Sequence, residues 1–322
     1  MTSSPVLLLS SESDDLSYLQ PAFEAAVARL CPGLRIVLSP PAGGMAGVDP
    51  ADVVAMAAWF APVGLPARLP RLRLMASIGA GVEHVLRDAS LPAGLPVTRI
   101  VDAEQARGMA EYVLWAALHF HRGLDQALHQ QASGIWRMPP QRPAAQTRVG
   151  VMGLGAMGAE VARVLAAHGF AVSGWSRSPR LLPGVACFHG AGQMSAFLSD
   201  LDIVVCLLPL TEETRGLCNA AWFAQLKPGA AFVNAGRGEH VVLPDLLDAL
   251  ERGQVRGAVL DVFEHEPLPA DHPLWHTPRL LVTPHMASSA SPDTIAQQIV
   301  ADTARVLAGE APLNAIDRQR GY

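Results

Sequence analysis

Four segments of this 322-residue chain carry residue types suited to chemistry. The first is Val149-Gly150-Val151-Met152-Gly153-Leu154-Gly155-Ala156-Met157-Gly158; the others are Asn234-Ala235-Gly236-Arg237-Gly238, Leu260-Asp261-Val262-Phe263-Glu264-His265-Glu266-Pro267-Leu268 and Thr283-Pro284-His285-Met286-Ala287. The glycine segment follows an apolar run and opens a helical pattern over Ala159–His168, which is the context that a G-x-G-x-x-G turn needs to hold a dinucleotide. Gly153 permits the tight turn, Gly155 lets the backbone approach a pyrophosphate, and Gly158 lets helix and strand pack closely. The anion then rests on the N–H groups of the helix start, here Ala156, Met157 and Gly158, where the dipole favours negative charge.

The end of the next strand bears on which dinucleotide. An NAD site carries an Asp or Glu there to bond the ribose hydroxyls. This chain has Gly174-Trp175-Ser176-Arg177-Ser178 instead, with no carboxylate between Glu160 and Asp200. Losing the acid removes repulsion of a 2′-phosphate. Arg177, with the hydroxyls of Ser176 and Ser178, can donate charge-assisted hydrogen bonds to it. The expectation is NADP(H), with NAD(H) bound more weakly.

The other three segments each follow a predicted strand. In open α/β sheets ligands bind beyond the carboxyl ends of the strands, so their charged residues are placed where a site belongs.

The elements that must position these residues follow an α/β pattern, with short apolar runs alternating with helical ones. Strands are predicted at Val6–Leu9, Arg35–Leu38, Val53–Ala57 and Leu72–Ser77, with a helix over Pro21–Leu30 and the first unit closing near Thr98. A long amphipathic segment runs from Ala103 to about Gln131, followed by a loop holding Pro139, Pro140 and Pro143. Further strands are predicted at 148–152, 171–175, 203–207, 230–233, 256–261 and 280–282, and a closing helix over Pro292–Leu307. The length suggests two domains at about 150 residues each.

Half of the residues are hydrophobic, 16% are charged and the net charge is −5. That excludes disorder as the main state and gives no general attraction to nucleic acid or anionic lipid. Lys227, in a Lys-Pro-Gly turn, is the only lysine among 24 basic residues, so 23 are arginines and anion handling falls to them. Cys31, Cys187, Cys206 and Cys218 have neither close pairing nor metal-ligand spacing, which suits reduced thiols in a cytoplasmic protein. The amino-terminal apolar run is short and lacks a basic flank, and no uncharged stretch is long enough to span a membrane.

Taken together, these motifs resemble the D-isomer-specific 2-hydroxyacid dehydrogenases, and within them the glyoxylate/hydroxypyruvate reductase branch. The resemblance runs over nearly the whole chain: Ser77-Ile78-Gly79-Ala80-Gly81-Val82, Met109-Ala110-Glu111-Tyr112-Val113-Leu114, the glycine turn, Leu208-Pro209-Leu210-Thr211-Glu212-Glu213-Thr214, the three charged segments, and Asp317-Arg318-Gln319-Arg320-Gly321-Tyr322. It implies two Rossmann-like, doubly wound parallel-sheet domains with the active site in the cleft between them. Residues 1–100 and 286–322 would form a flavodoxin-like substrate domain, and residues 101–285 an inserted NADP-binding domain.

The same resemblance implies a catalytic set of Arg237, Glu266 and His285. Reducing a 2-keto acid requires a proton at the carbonyl oxygen, and imidazole is suited to supply it. Glu266, directly before Pro267-Leu268, is the carboxylate that would stabilise the imidazolium of His285; Glu264 lies two positions early. Arg237 would hold the substrate carboxylate or ketone oxygen with a fixed fork of donors. The amides of Ala80 and Gly81 would grip the carboxylate. Leu208, Pro209, Thr214, Ala235 and Gly236 would line the cofactor, and Asp261 would orient its carboxamide.

No metal is assigned. His272 and His276 are separated by helix-breaking Pro273, with Pro278 following, and His119 and His121 fall on different sides of a helix. Trp59 and Phe60 are candidates for the substrate pocket and Trp136 for a partner subunit. The 103–131 segment resembles the family's dimerisation arm, so a homodimer is expected.

The leading expectation is NADPH-dependent reduction of glyoxylate to glycolate and hydroxypyruvate to D-glycerate. Another D-2-hydroxyacid dehydrogenase, such as 3-phosphoglycerate dehydrogenase, and a dinucleotide-sensing corepressor remain alternatives. Formate-type chemistry is disfavoured by Glu266, and methyltransferase chemistry by the third glycine and the basic strand end.

Overall fold

The computed structural model describes residues 4–321 apart from 13, 41–44 and 46; Tyr322, the end of the carboxy-terminal motif, lies outside the described residues. The first elements in chain order are β1 (Val6–Ser11), α1 (Gln20–Leu30), β2 (Arg35–Leu38), β3 (Val53–Trp59), β4 (Leu74–Ser77), α2 (Glu83–Leu86) and β5 (Val97–Thr98). Next come α3 (Ala103–His121), α4 (Leu124–Ala132), β6 (Arg148–Met152), α5 (Ala156–Ala167), β7 (Ala171–Ser176), β8 (Ala186–His189), α6 (Met194–Leu198) and β9 (Ile203–Cys206). The chain closes with α7 (Ala220–Phe223), β10 (Ala230–Asn234), α8 (Leu243–Glu251), β11 (Val255–Leu260), β12 (Leu280–Val282) and α9 (Pro292–Leu307).

These elements form two compact units, one of Met1–Asp102 with Ala290–Tyr322 and one of Ala103–Ser289. The first is built on a parallel sheet of order β2-β1-β3-β4-β5. Side chains on successive residues point to opposite faces, so each apolar strand supplies both layers of core. Leu7, Leu9, Ala55, Ala57 and Ala76 pack on one face with Phe23 of α1 and Ile295 and Ile299 of α9. Leu8, Met56, Ala58 and Met75 pack on the other with Leu65, Leu69 and Val85.

The closing helix belongs to this unit because its apolar face recurs at helical spacing. Ser291 caps its start by accepting the Thr294 amide, and Pro292 fills the first turn, where no amide partner is needed. Burying Ile295 and Ile299 contributes about 1.5–3 kcal/mol each.

The second unit holds seven parallel strands in the order β12-β11-β10-β9-β6-β7-β8. From β6 the chain runs outward through β7 and β8, then returns beside β6 with β9 and runs the other way. The reversal opens a crevice beyond β6 and β9, the usual ligand position in such a sheet. Val149, Val151, Ile203, Val205, Val233 and Val259 face α3 and α5, whereas Met152, Val204, Phe232 and Leu260 face Phe197, Trp222 and Leu246.

Three local features differ from the sequence reading, the first being the two-residue edge strand β5, too short to carry a pattern. The 103–131 segment is two helices, since Gly123 takes a left-handed φ of 69° between α3 and α4. Strand β8 was not expected, because an edge strand paired only with β7 is half exposed and lacks an apolar run.

Candidate active site

The glycine turn leaves β6 as its motif implies. Gly153 has φ 97°, and a β-carbon there would lie 2.6 Å from the Leu207 carbonyl oxygen after β9. A β-carbon on Gly158 would overlap the Gly153 carbonyl, so strand end and helix start are in direct backbone contact. Gly155 is the N-cap of α5; no side chain caps that helix, and a β-carbon on Gly155 would meet nothing within 4 Å. Open space over uncapped helix amides fits a pyrophosphate. Gly158→Ala is expected to destabilise the fold by about 1–3 kcal/mol through overpacking. It should also weaken dinucleotide binding; a wild-type melting temperature and affinity would show that the contact relaxes freely.

At the end of β7 the arrangement is narrower than the sequence suggested. The Ser176 hydroxyl donates to the Ser178 carbonyl at 2.8 Å, closing the turn, so its proton is not offered outward. Arg177 Nη1 lies 3.6 Å from Glu213 Oε2, and both side chains are exposed. Glu213 sits on the loop after β9, which Thr214 ties together: its hydroxyl accepts the Thr211 amide at 2.8 Å and donates to the Pro209 carbonyl at 2.8 Å. Leu208, Pro209 and Thr214 therefore lie on a braced loop at the crevice.

Arg237 follows β10 on a turn folded by buried Asn234. The Asn234 side-chain amide donates to the Arg237 carbonyl at 2.8 Å and its oxygen accepts the Gly236 amide at 3.2 Å. Sequence reading passed over His240, which is fully buried behind this turn. Its Nδ1 accepts the Arg237 amide at 3.1 Å, leaving Nε2 to donate to the Pro209 carbonyl at 3.3 Å. One neutral imidazole thus joins the Arg237 turn, with Ala235 and Gly236, to the loop after β9. Its position three residues beyond Arg237 was the available signal.

The Arg237 turn and the Glu266 loop meet at Gly238, where a β-carbon would overlap the Phe263 and Glu264 backbone. Glu266 Oε1 accepts the Phe263 amide at 2.8 Å, and Oε2 lies 2.6 Å from His285 Nδ1. Burial pushes the Glu266 carboxyl up, but the His285 hydrogen bond and charge, the Phe263 amide and the Arg237 charge together hold it below the usual carboxylate range. An ionised Glu266 accepts, so His285 Nδ1 carries the proton of that bond.

His285 has a left-handed backbone, φ 50°, a conformation that costs a non-glycine residue on the order of 1–3 kcal/mol. Buried Asp261 holds it there. The Asp261 carboxylate accepts the Thr283 hydroxyl at 2.6 Å and the Met286 and Ala287 amides at 2.9 Å each, and its carbonyl accepts the His285 amide at 2.8 Å. Three of its roughly four lone-pair positions are thus committed to the His285 turn.

Ala80 and Gly81 lie in the other unit, on the loop leaving β4. Ser77 braces that loop: its hydroxyl donates to the Gly81 carbonyl at 2.7 Å and accepts the Gly79 amide at 3.1 Å. Trp59 lies against Gly79, where a β-carbon would be 2.9 Å from the indole ring.

Residues 114–287 match the family model described as "D-isomer specific 2-hydroxyacid dehydrogenase, NAD binding domain". Glyoxylate/hydroxypyruvate reductase A of Serratia proteamaculans is 40% identical over 278 residues, 85% of this chain and 88% of the relative. The chain belongs to the D-isomer-specific 2-hydroxyacid dehydrogenase family. Among solved structures, a D-isomer-specific 2-hydroxyacid dehydrogenase from Xanthobacter autotrophicus Py2, in complex with NADPH and MES, aligns with a TM-score of 0.91 at 44% identity, covering 99% of this chain and all of that one. The NADPH-dependent glyoxylate/hydroxypyruvate reductase of Sinorhizobium meliloti, in complex with NADP and sulfate, aligns at 0.87 and 35% identity, again over 99% of this chain and all of that one.

This D-2-hydroxyacid dehydrogenase therefore falls in the glyoxylate/hydroxypyruvate reductase A branch and works with a nicotinamide cofactor. Among its described residues, no helix is long and apolar enough to cross a membrane, and no group of three or more His, Cys, Asp or Glu is placed to hold a metal ion.

Proposed function

We propose that this dehydrogenase reduces small 2-keto acids, glyoxylate to glycolate and hydroxypyruvate to D-glycerate, with NADPH and with His285 as the proton donor. The observation that carries the reading is the 2.6 Å bond between His285 Nδ1 and Glu266, whose loop packs against the Arg237 turn at Gly238. The cofactor, when bound, supplies the hydride. Glu266 holds the Nδ1 proton, so the proton passed to the substrate oxygen is the one on Nε2. Arg237 supplies the fork of donors for the substrate carboxylate or ketone oxygen, and Ala80 and Gly81 supply amides to the carboxylate. Asp261 would orient the carboxamide of the bound cofactor, and Leu208, Pro209, Thr214, Ala235 and Gly236 would line the dinucleotide.

The preference for NADPH over NADH rests on Arg177 in place of the usual strand-end acid, with Ser178 beside it. The relatives support it: two solved structures at 35–44% identity hold NADPH or NADP. We further propose a cytoplasmic homodimer, in which exposed Ile135, Trp136 and Met138 after α4 meet a second copy.

Nicotinamide absorbance followed with a panel of 2-keto acids and both cofactors tests the reading. The highest kcat/KM is expected for glyoxylate or hydroxypyruvate with NADPH. Failure to oxidise NADPH with any small 2-keto acid would remove it and favour a dinucleotide-sensing role.

A further inference from the structure

The residues that hold the His285 turn extend beyond Asp261. Thr283, just after β12, donates its only hydroxyl proton to Asp261 Oδ1 at 2.6 Å. The Tyr112 hydroxyl lies 2.6 Å from the same Thr283 oxygen. With the Thr283 proton already committed, Tyr112 must be the donor. The direction of the relay is therefore set: Tyr112 to Thr283, and Thr283 to Asp261. Burial pushes the Tyr112 phenol up, the Thr283 bond opposes this and the Asp261 charge adds to it; the net direction is upward and keeps the proton on Tyr112.

Tyr112 stands on α3, a helix packed against α5 and the sheet by Met109, Val113 and Ala116. The relay thus links the turn carrying His285 to a rigid core helix. At its other end the Asp261 carboxylate grips the Met286 and Ala287 amides, directly after His285, while its carbonyl accepts the His285 amide, so the left-handed φ is held from both sides.

We propose that Tyr112 and Thr283 are positioning residues that act through Asp261 to hold His285 against Glu266. The inference deepens the proposed role of His285 as proton donor and rests on it for the kinetic consequence alone. A turn that loosens by a fraction of an ångström lengthens the His285–Glu266 bond and misplaces the donor, and such misplacements carry large rate penalties.

The test uses the whole protein and two readouts. In the cofactor-free protein, the His285 N–H proton bound to Glu266 should give a strongly deshielded NMR resonance, assigned by its loss in His285→Asn. Thr283→Val keeps the shape of the side chain and removes the hydroxyl; it is expected to shift that resonance upfield or broaden it away, and to lower kcat about 10-fold or more with KM for NADPH within about twofold. Thr283→Ser restores the hydroxyl and should recover both. Tyr112→Phe leaves the Thr283–Asp261 bond and should move both readouts the same way by less.

A wild-type resonance and kcat in Thr283→Val overturns the proposal, as does a Thr283→Ser variant that loses both as fully as the valine. So does the absence of the resonance from the wild-type protein. If Thr283→Val fails to fold, an unchanged resonance in Tyr112→Phe overturns the relay on its own. If the wild-type protein turns over no 2-keto acid, the activity reading fails while the resonance still decides whether the relay holds the turn.

Discussion

His285→Asn lowers kcat by about 10²-fold or more while leaving cofactor affinity nearly unchanged. General acid assistance contributes about 10²–10⁴-fold when the donor is within hydrogen-bond reach of the reacting oxygen. Asparagine preserves a polar side chain of similar reach and tolerates the left-handed backbone at this position, so the fold should survive. It has no titrating proton to give. Single-turnover kinetics separate this from slow product release, and near-wild-type turnover would place the proton donor elsewhere.

Glu266→Gln should act in the same direction through the ring, because glutamine removes the charge that steadies the imidazolium. The pH dependence has a definite sign. The folded-state Glu266 value lies below the ordinary one, so the stability it contributes is complete above the ordinary glutamate range. That contribution is lost only as pH falls through the depressed value. The acid limit of stability from this pair therefore lies below the ordinary glutamate range.

Arg177→Asp is the second large effect. It should raise KM for NADPH by about 10- to 100-fold and leave KM for NADH within about threefold. Hydrogen bonds to a charged group contribute about 1.5–3 kcal/mol, which corresponds to that range. Introducing a carboxylate adds repulsion to the 2′-phosphate and supplies an acceptor for the ribose hydroxyls of NADH. The exposed Glu213 beside Arg177 argues for a moderated figure, since part of the guanidinium's field already falls on a carboxylate. An exposed pair of this kind contributes about 0–1 kcal/mol, so Glu213 trims the effect without reversing it. Unchanged cofactor preference in kcat/KM would overturn the assignment of Arg177 to the 2′-phosphate.

Much of the machinery is legible in the sequence. The G-x-G-x-x-G turn, the replacement of the strand-end acid by Ser176-Arg177-Ser178, and the strands predicted at 230–233, 256–261 and 280–282 are local patterns. Their physics is contained in a few neighbouring residues: left-handed glycine, uncapped helix amides, alternating apolar side chains. Glu266 was chosen over Glu264 by its family motif, and the structure places its carboxylate on His285.

Other features needed the fold because their causes are far apart in the chain. Ser176 reads as a phosphate donor until its hydroxyl is seen spent on Ser178. The 103–131 segment reads as one amphipathic run until Gly123 turns left-handed and splits it into two helices. The half-exposed edge strand β8 lacks the apolar signature that its central neighbours carry.

The sequence by itself determined the chemistry available to this protein: a dinucleotide turn, an arginine that can read a phosphate, and a histidine with a carboxylate to steady it. Tertiary structure alone decided how those groups are held. Buried His240 ties the Arg237 turn to the loop after β9, and Asp261, Thr283 and Tyr112 tie the strained His285 turn to α3. The reason is physical. A residue's protonation chemistry is local to its side chain, but its position is set by a network of hydrogen bonds between residues as much as 171 positions apart, whose meeting depends on how the sheet and its helices pack.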